Sequence, residues 1–281
     1  MQEGKFSRTA QRVAIRRAAH QLLDQPRVLD DPLALRIIGA DAAEILRSNP
    51  KENHNFSRAF RAFMAARSRY AEDELARAVA HGVRQYVVLG AGLDTFAYRN
   101  PHTGLRVFEV DHPATQAWKR EQLQAAGIAV PTSLTFVPID FERQTLADGL
   151  RWAGFNVNAA AFCSWLGVTP YLTRDACMTT LGFIAEMPAG SGVVFDFAVD
   201  PALLNAGQRQ ALDALSERVA RYGEPFQLFF DPGKLQDELK GMGFHRTEFL
   251  QGKEINARYF TDRDDGLLVR GGIGHLMGAW V

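Results

Sequence analysis

The sequence contains little cysteine and carries no excess charge of either sign. Only Cys163 and Cys177 occur among 281 residues, and Cys163 lies in an apolar run where a reduced thiol behaves as a small hydrophobic group. We therefore expect no disulfide. Because 32 Lys and Arg residues balance 32 Asp and Glu residues, no electrostatic excess is available to attract nucleic acid or an anionic membrane. We expect neither as a partner.

Long hydrophobic runs are absent as well. Hydrophobic residues make up 47% of the chain, yet the longest apolar stretch, near residues 159–168, is too short to span a bilayer. Residues 1–10 are polar and lack the hydrophobic segment of a secretory signal. These absences predict a cytoplasmic protein with one sizeable core.

Clustered metal ligands are also lacking. The seven histidines are scattered along the chain, and the acidic segment at residues 262–266 does not have the spacing of a calcium-binding loop. We expect no metal site.

The first part of the chain has a helical pattern. Apolar residues between Ala10 and Leu22 share one helical face, and Asp31-Pro32 is typical of an N-cap followed by the first helical residue. A longer helix is predicted from about Ser57 to His81, with Arg67 on its apolar side. The arginines at 8, 12, 16 and 17 are expected to form a solvated face. Residues 1–82 are thus predicted to form a helical cap on a core at 83–281.

Strand and helix patterns alternate after Gly82, which predicts a mostly parallel α/β sheet. The last two predicted strands, 244–250 and 275–281, are joined by a segment without a helical pattern and are expected to form an antiparallel pair. The five predicted parallel strands cover residues 85–89, 106–110, 134–139, 159–165 and 193–198.

A Gly-x-Gly turn, Gly90 to Gly92, ends the first strand and is expected to lead into a helix. Glycine there allows a ligand to approach the backbone, although an ordinary tight turn is an alternative. Thr95 stands where a dinucleotide fingerprint needs a third glycine, and the Asp94 carboxylate would repel a pyrophosphate. S-adenosylmethionine carries a sulfonium, an amino group and no phosphate. The turn therefore favours this cofactor over NAD.

Acidic residues end the next two strands. Asp111 lies about 20 residues beyond the glycine turn, where a carboxylate can accept both ribose hydroxyls; alternatively, Asp111 or His112 caps the helix that Pro113 begins. At the third strand end, Asp140 and Phe141 could hold the adenine amino group and ring. A simple loop aspartate is the alternative reading of Asp140.

Together with Arg67-Ser68-Arg69 and Tyr171-Leu172, the segments LGAGLDTFAYR and FEVDHP resemble the leucine carboxyl methyltransferase-like family, including its bacterial O-methyltransferase branch. The resemblance covers nearly the whole chain. It implies a Rossmann-like class I methyltransferase fold with a mostly parallel seven-stranded sheet and one antiparallel strand.

The resemblance also implies residue roles. Arg67 would pair with the methionyl carboxylate of S-adenosylmethionine, although a protein carboxylate is an alternative partner for an arginine on an apolar face. Leu166 replaces a glutamate that the family often carries and that is implied to bind the methionyl amino group, so backbone carbonyls or another acid must do so here. The predicted cofactor-binding residues are Arg67, Gly90, Ala91, Gly92, Asp94, Asp111, His112, Asp140, Phe141 and Leu166.

The methyl acceptor is less well defined by the sequence. Candidates on the substrate side are Tyr171, Arg174, Tyr259 and His275. For His275 the favoured alternative is a strand histidine whose ring is hydrogen-bonded to backbone, and Tyr259 could be a core aromatic. No residue is assigned a catalytic role. We expect O-methylation of a small molecule at a carboxylate or hydroxyl. Carboxyl methylation of a protein C-terminus, a nicotinamide-dependent oxidoreductase and a non-catalytic cofactor-binding regulator are the alternatives.

Overall fold

The computed structural model describes residues 6–39, 41–141 and 143–281, so the polar segment at residues 1–5 lies outside the described residues. The strands are β1 Gln85–Leu89, β2 Arg106–Asp111, β3 Leu134–Pro138, β4 Ala161–Trp165, β5 Gly192–Ala198, β6 Arg246–Leu250 and β7 Gly274–Trp280. The helices are α1 Arg8–Leu23, α2 Ala34–Ile37, α3 Ala42–Ser48, α4 Asn55–Ala80, α5 Pro113–Ala125, α6 Leu146–Trp152, α7 Arg174–Ala185, α8 Ala206–Ala220, α9 Pro232–Met242 and α10 Gly252–Tyr259.

All seven strands form one sheet in the order β3-β2-β1-β4-β5-β7-β6. Only β7 is antiparallel to its two neighbours, which confirms the predicted sheet. In register, Leu89 pairs with Trp165, and Trp165 pairs with Phe195. The carboxyl ends of β1, β4 and β5 therefore lie at the same edge, where α/β sheets bind ligands.

Helices cover both faces of the sheet. On one face, α6, α7 and α9 pack against strand residues such as Val87 and Cys163. On the other, α4 contributes Tyr70 and Leu75 to a core shared with Val88. The long helix predicted at 57–81 is thus confirmed, and it lies directly on the sheet. None of the helices in the described ranges is long and apolar enough to cross a membrane.

Two local predictions are wrong. The glycine turn does not lead into an α-helix: a short 3-10 turn, Phe96–Tyr98, follows it, and the Asp94 carboxylate accepts the Phe96 N–H. The segment between β6 and β7 is not free of helix, since α10 lies there. That helix has Ile255 as its one fully buried residue, so its apolar pattern in the sequence is weak.

Asp31 and Arg17 differ in part from expectation. The helix α2 begins later than predicted, with Leu33 as its N-cap, although Asp31 Oδ1 accepts the Leu33 N–H at 3.3 Å in the preceding turn. Asp31 Oδ2 also accepts hydrogen bonds from Arg17 Nη2 at 2.5 Å and Thr95 Oγ1 at 2.7 Å. Arg17 is 4% exposed, so it does not belong to a solvated face. A buried guanidinium requires an anion, and Asp31 supplies it.

Candidate cofactor site

A cavity of about 1230 Å³ opens at the carboxyl ends of the parallel strands. It brings together all ten predicted cofactor-binding residues and one predicted substrate residue. Its lining includes Arg67, Gly90, Ala91, Gly92, Asp94, Asp111, His112, Asp140, Phe141, Leu166 and Tyr171. The strand-end residues thus converge on a single space, as expected when parallel strands end at one edge.

The glycine turn has two positions that disfavour a side chain. Gly90 and Gly92 have φ values of +67° and +46°, in the left-handed region that side chains disfavour. A Cβ added to Gly90 would lie 2.2 Å from Cγ2 of Val168 in the loop after β4. Both glycines line the cavity, so a ligand there can lie against the turn without meeting a side chain from either residue.

Asp111 is oriented by backbone hydrogen bonds. Its carboxylate accepts the N–H groups of Gly92 and His112. Burial raises the pKa of Asp111, and these two hydrogen bonds act in the opposite direction. The helix-capping role falls to His112, whose Nδ1 accepts the Ala114 N–H at 3.2 Å. Each carboxylate oxygen of Asp111 has two lone pairs, so acceptor capacity remains for a ligand hydroxyl.

Asp140 and Phe141 form the wall beyond β3. Asp140 Oδ2 lies 3.5 Å from Nε of Arg143, and the backbone N–H of Asp140 donates to Gln144 Oε1 at 3.2 Å. The Phe141 ring is tilted against Trp165, with ring centroids 6.2 Å apart. An aromatic face next to a carboxylate is suited to a flat heterocycle with an amino group.

Arg67 reaches the cavity from α4. Its Nη1 donates to Asp196 Oδ2 at 2.7 Å, and Asp196 Oδ1 accepts the Gly167 N–H at 2.5 Å. The protein-carboxylate alternative is thus the contact present in the structure. Because Arg67 also lines the cavity, its remaining donors can bind a ligand anion.

A family model described as leucine carboxyl methyltransferase matches residues 10–185. A Bacillus subtilis (strain 168) protein, "Putative S-adenosyl-L-methionine-dependent methyltransferase YktD", is 32% identical over 291 residues, which span 95% of either chain. The chain belongs to the leucine carboxyl methyltransferase family. Another relative, a "Putative S-adenosyl-L-methionine-dependent methyltransferase" of Mycobacterium avium (strain 104), is 30% identical over 92% of the chain and 86% of its own length.

Solved structures agree with the fold of this methyltransferase family. A "putative methyltransferase" of Thermobifida fusca YX is 15% identical, with a TM-score of 0.59 over 99% of this chain and 96% of its own. A "duf574 family protein" of Streptomyces avermitilis MA-4680 has a TM-score of 0.51 at 14% identity, over 96% of each chain. The protein is an S-adenosylmethionine-dependent methyltransferase with a class I fold, as the sequence predicted.

The residues that line the cavity fit S-adenosylmethionine. The glycine turn lines the cavity, and Asp111 offers acceptors beside it for ribose hydroxyls. Further carboxylates, Asp94 and Asp196, also line the cavity, and acidic groups suit a ligand that carries a sulfonium and an ammonium but no phosphate.

Many lining residues were not identified from the sequence as part of the site, and three charged ones among them are Arg17, Glu72 and Asp196. Arg17 lies 3.6 Å from the Asp94 carboxylate, and Glu72 is held by Arg99. Asp196 could have been recognised, because it is the acidic residue in the otherwise apolar strand β5 and stands near its carboxyl end. Arg17 and Glu72 had no comparable signal, since their partners come from distant segments.

Three predicted substrate residues are not placed at the cavity. Arg174 is exposed on α7 and pairs with Glu238, and Tyr259 donates a hydrogen bond to Asp73 Oδ2 at 3.0 Å. The His275 side chain packs between aromatic rings, and its Nδ1 has no hydrogen-bond partner in the described part of the chain, so the expected backbone contact is not seen there. These three residues were predicted from proximity to a strand end or to the C-terminus, which does not fix the direction of a side chain. Tyr171 does line the cavity.

The helix α1 closes one side of the cavity. Ser7 N–H donates to Thr115 Oγ1 at 3.2 Å, and Thr9 N–H donates to Glu224 Oε2 at 3.1 Å. Ala10 also approaches the glycine turn, because a Cβ on Gly92 would lie 3.1 Å from its methyl group. The first turns of α1 thus cover one side of the site.

Proposed function

We propose that this methyltransferase transfers the methyl group to an oxygen of a small, largely apolar molecule. The observation that carries the proposal is the part of the cavity that α4 and α8 line with apolar side chains. These are Phe56, Phe60, Phe63, Leu212, Leu215 and Val219. The total volume of about 1230 Å³ exceeds the roughly 300–1,000 Å³ of a typical ligand site, which leaves room for an acceptor beside the cofactor.

Oxygen is the acceptor best matched to the residues present. When bound, S-adenosylmethionine supplies a methyl group activated by its sulfonium. A carboxylate acceptor is already ionised at neutral pH and needs no base. Burial raises the pKa of Tyr171, so its hydroxyl stays neutral and can orient an acceptor oxygen by donating a hydrogen bond. The family description also names a carboxyl methyltransferase, which supports the proposal.

The protein's contribution is chiefly alignment. Asp111 stands at the end of β2, and Arg67 reaches the cavity from α4 beside Asp196 of β5, so the two can anchor opposite ends of the cofactor. The first turns of α1 cover one side of the cavity, and the apolar wall of α4 and α8 can hold the acceptor body. Positioning of this kind accounts for much of the rate of a displacement reaction.

A transfer assay with methyl-labelled S-adenosylmethionine tests the proposal. The acceptors are apolar carboxylic acids, phenols, amines and a peptide with a free C-terminal carboxylate. We expect label in a small acid or phenol, with alkali releasing methanol from an ester but not from an ether. Label confined to the amines or to the peptide would overturn the proposal. A Leu215→Glu variant should raise KM for the acceptor and leave S-adenosylhomocysteine affinity unchanged.

A further inference from the structure

We propose that Asp196 binds the α-ammonium group at the methionyl end of the cofactor, next to the carboxylate that Arg67 binds. The inference rests on the cofactor, and it is independent of the acceptor proposed above. Asp196 is 6% exposed, and it lines the cavity at the carboxyl end of β5.

The register of the sheet places this acid beside the cofactor loop. Trp165, the last residue of β4, pairs with Phe195 of β5. Leu166, which follows β4, is therefore level with Asp196 of β5. The Gly167 N–H donates to the Asp196 carboxylate. The residue after β4 is apolar, but a carboxylate is available at the same level, one strand away.

The Arg67–Asp196 pair is complementary to an amino-acid zwitterion. Its cationic and anionic groups are in contact at 2.7 Å, and an α-amino acid carries a carboxylate and an ammonium on one carbon. Such a zwitterion can lie antiparallel to the pair, so that each charge meets its opposite. Each Asp196 oxygen accepts one hydrogen bond that the structure shows, which leaves acceptor capacity for an ammonium.

The other acids lining the cavity have partners other than Arg67 in the described part of the chain, so they do not share its position. Glu72 is bound by Arg99, Asp94 accepts the Phe96 N–H, and Glu224 accepts the Thr9 N–H.

Asp111 and Asp140 follow β2 and β3, which lie on the opposite side of β1 from β5. Since adenosine and methionine form opposite ends of the cofactor, this order assigns Asp111 and Asp140 to the adenosyl end. Asp196 remains for the amino group.

Three ligands separate direct binding from a supporting role. S-adenosylhomocysteine has both charged groups, its desamino analogue keeps the carboxylate, and 5′-methylthioadenosine lacks both. Calorimetry should show that Asp196→Asn weakens binding of the first about tenfold or more, as for loss of a charged hydrogen bond. Affinity for the other two should change less than twofold. The exposed Asp213→Asn is the matched control and should leave all three affinities unchanged.

If Asp196 only positions Arg67, the desamino analogue will lose as much affinity as S-adenosylhomocysteine, which would overturn the proposal. Equal affinities of S-adenosylhomocysteine in wild type and Asp196→Asn would also overturn it. The wild-type protein gives a second test that does not depend on the variant folding: it should bind the desamino analogue at least tenfold more weakly than S-adenosylhomocysteine, and equal binding would contradict the proposal.

Discussion

Arg67 of α4 and Asp196 of β5 are joined by a 2.7 Å hydrogen bond between Nη1 and Oδ2, although 129 positions separate them in the chain. Both side chains are almost completely buried. The contact connects the helical region to the sheet at the edge where the cofactor residues converge. This ion pair therefore links α4 to β5 at the cofactor cavity, which both residues line.

Removal of one partner from this pair should destabilise the protein. Arg67→Met leaves a buried carboxylate without its cation, and we expect the free energy of unfolding to fall by about 3 kcal/mol. Arg67→Met/Asp196→Asn should recover at least about 1 kcal/mol, because no unpaired charge remains. Urea unfolding without cofactor measures both. A single variant as stable as wild type would show that the pair contributes nothing.

Asp111 is expected to anchor the ribose. Asp111→Ala should weaken S-adenosylhomocysteine binding by about 1–3 kcal/mol, the magnitude of lost hydrogen bonds to a charged acceptor. In contrast to Asp196→Asn, it should weaken 5′-methylthioadenosine to the same degree, since that ligand retains the ribose. Calorimetry measures both affinities, with Asp213→Ala as the control. Unchanged affinity would reduce Asp111 to a structural residue of the turn.

Gly90 should not tolerate a side chain. Its φ of +67° is strained for alanine, and the added Cβ would lie 2.2 Å from Val168. We expect Gly90→Ala to lower the free energy of unfolding by more than about 1 kcal/mol and to weaken cofactor binding.

Gly182 provides the control, because it lies within α7 with open space around it. Gly182→Ala should raise stability by about 0.5–1 kcal/mol. Thermal unfolding with and without S-adenosylhomocysteine compares the two variants. Equal melting temperatures would contradict the close-approach argument.

His275 should make stability pH-dependent. Burial lowers its pKa to about 4, and the opposing charge of Glu254 does not reverse this. The unfolded chain, with a pKa near 6.5, binds the proton more tightly, so the contribution of His275 is present above about pH 6.5 and is lost as pH falls towards 4.

His275→Phe should therefore reduce the stability lost between pH 7 and pH 5 by about 2 kcal/mol relative to wild type. Urea unfolding at the two pH values measures the difference, and the exposed His245→Asn serves as the control. An identical pH dependence of stability in His275→Phe and wild type would refute the lowered pKa of His275.

Site residues that stand at a recognisable point of the local sequence pattern could be predicted. The glycine turn and Asp111 follow apolar strands, and parallel topology alone brings such strand ends together. The contact between Asp196 and Arg67 was not predictable, because it depends on the packing of α4 across β5. Likewise the sequence pattern does not show that Arg17 is buried, because the fold brings its partner Asp31 beside it. Sequence patterns indicate which strand ends meet, but not which charges pair across them.

Calorimetric titration of the wild-type protein with S-adenosylhomocysteine, and separately with NADH, tests the central claim most directly. We expect one molecule of S-adenosylhomocysteine to bind per chain, to raise the melting temperature by ligand linkage, and to lose affinity in Asp111→Ala. NADH should produce neither effect. Binding of NADH with no binding of S-adenosylhomocysteine would contradict the account.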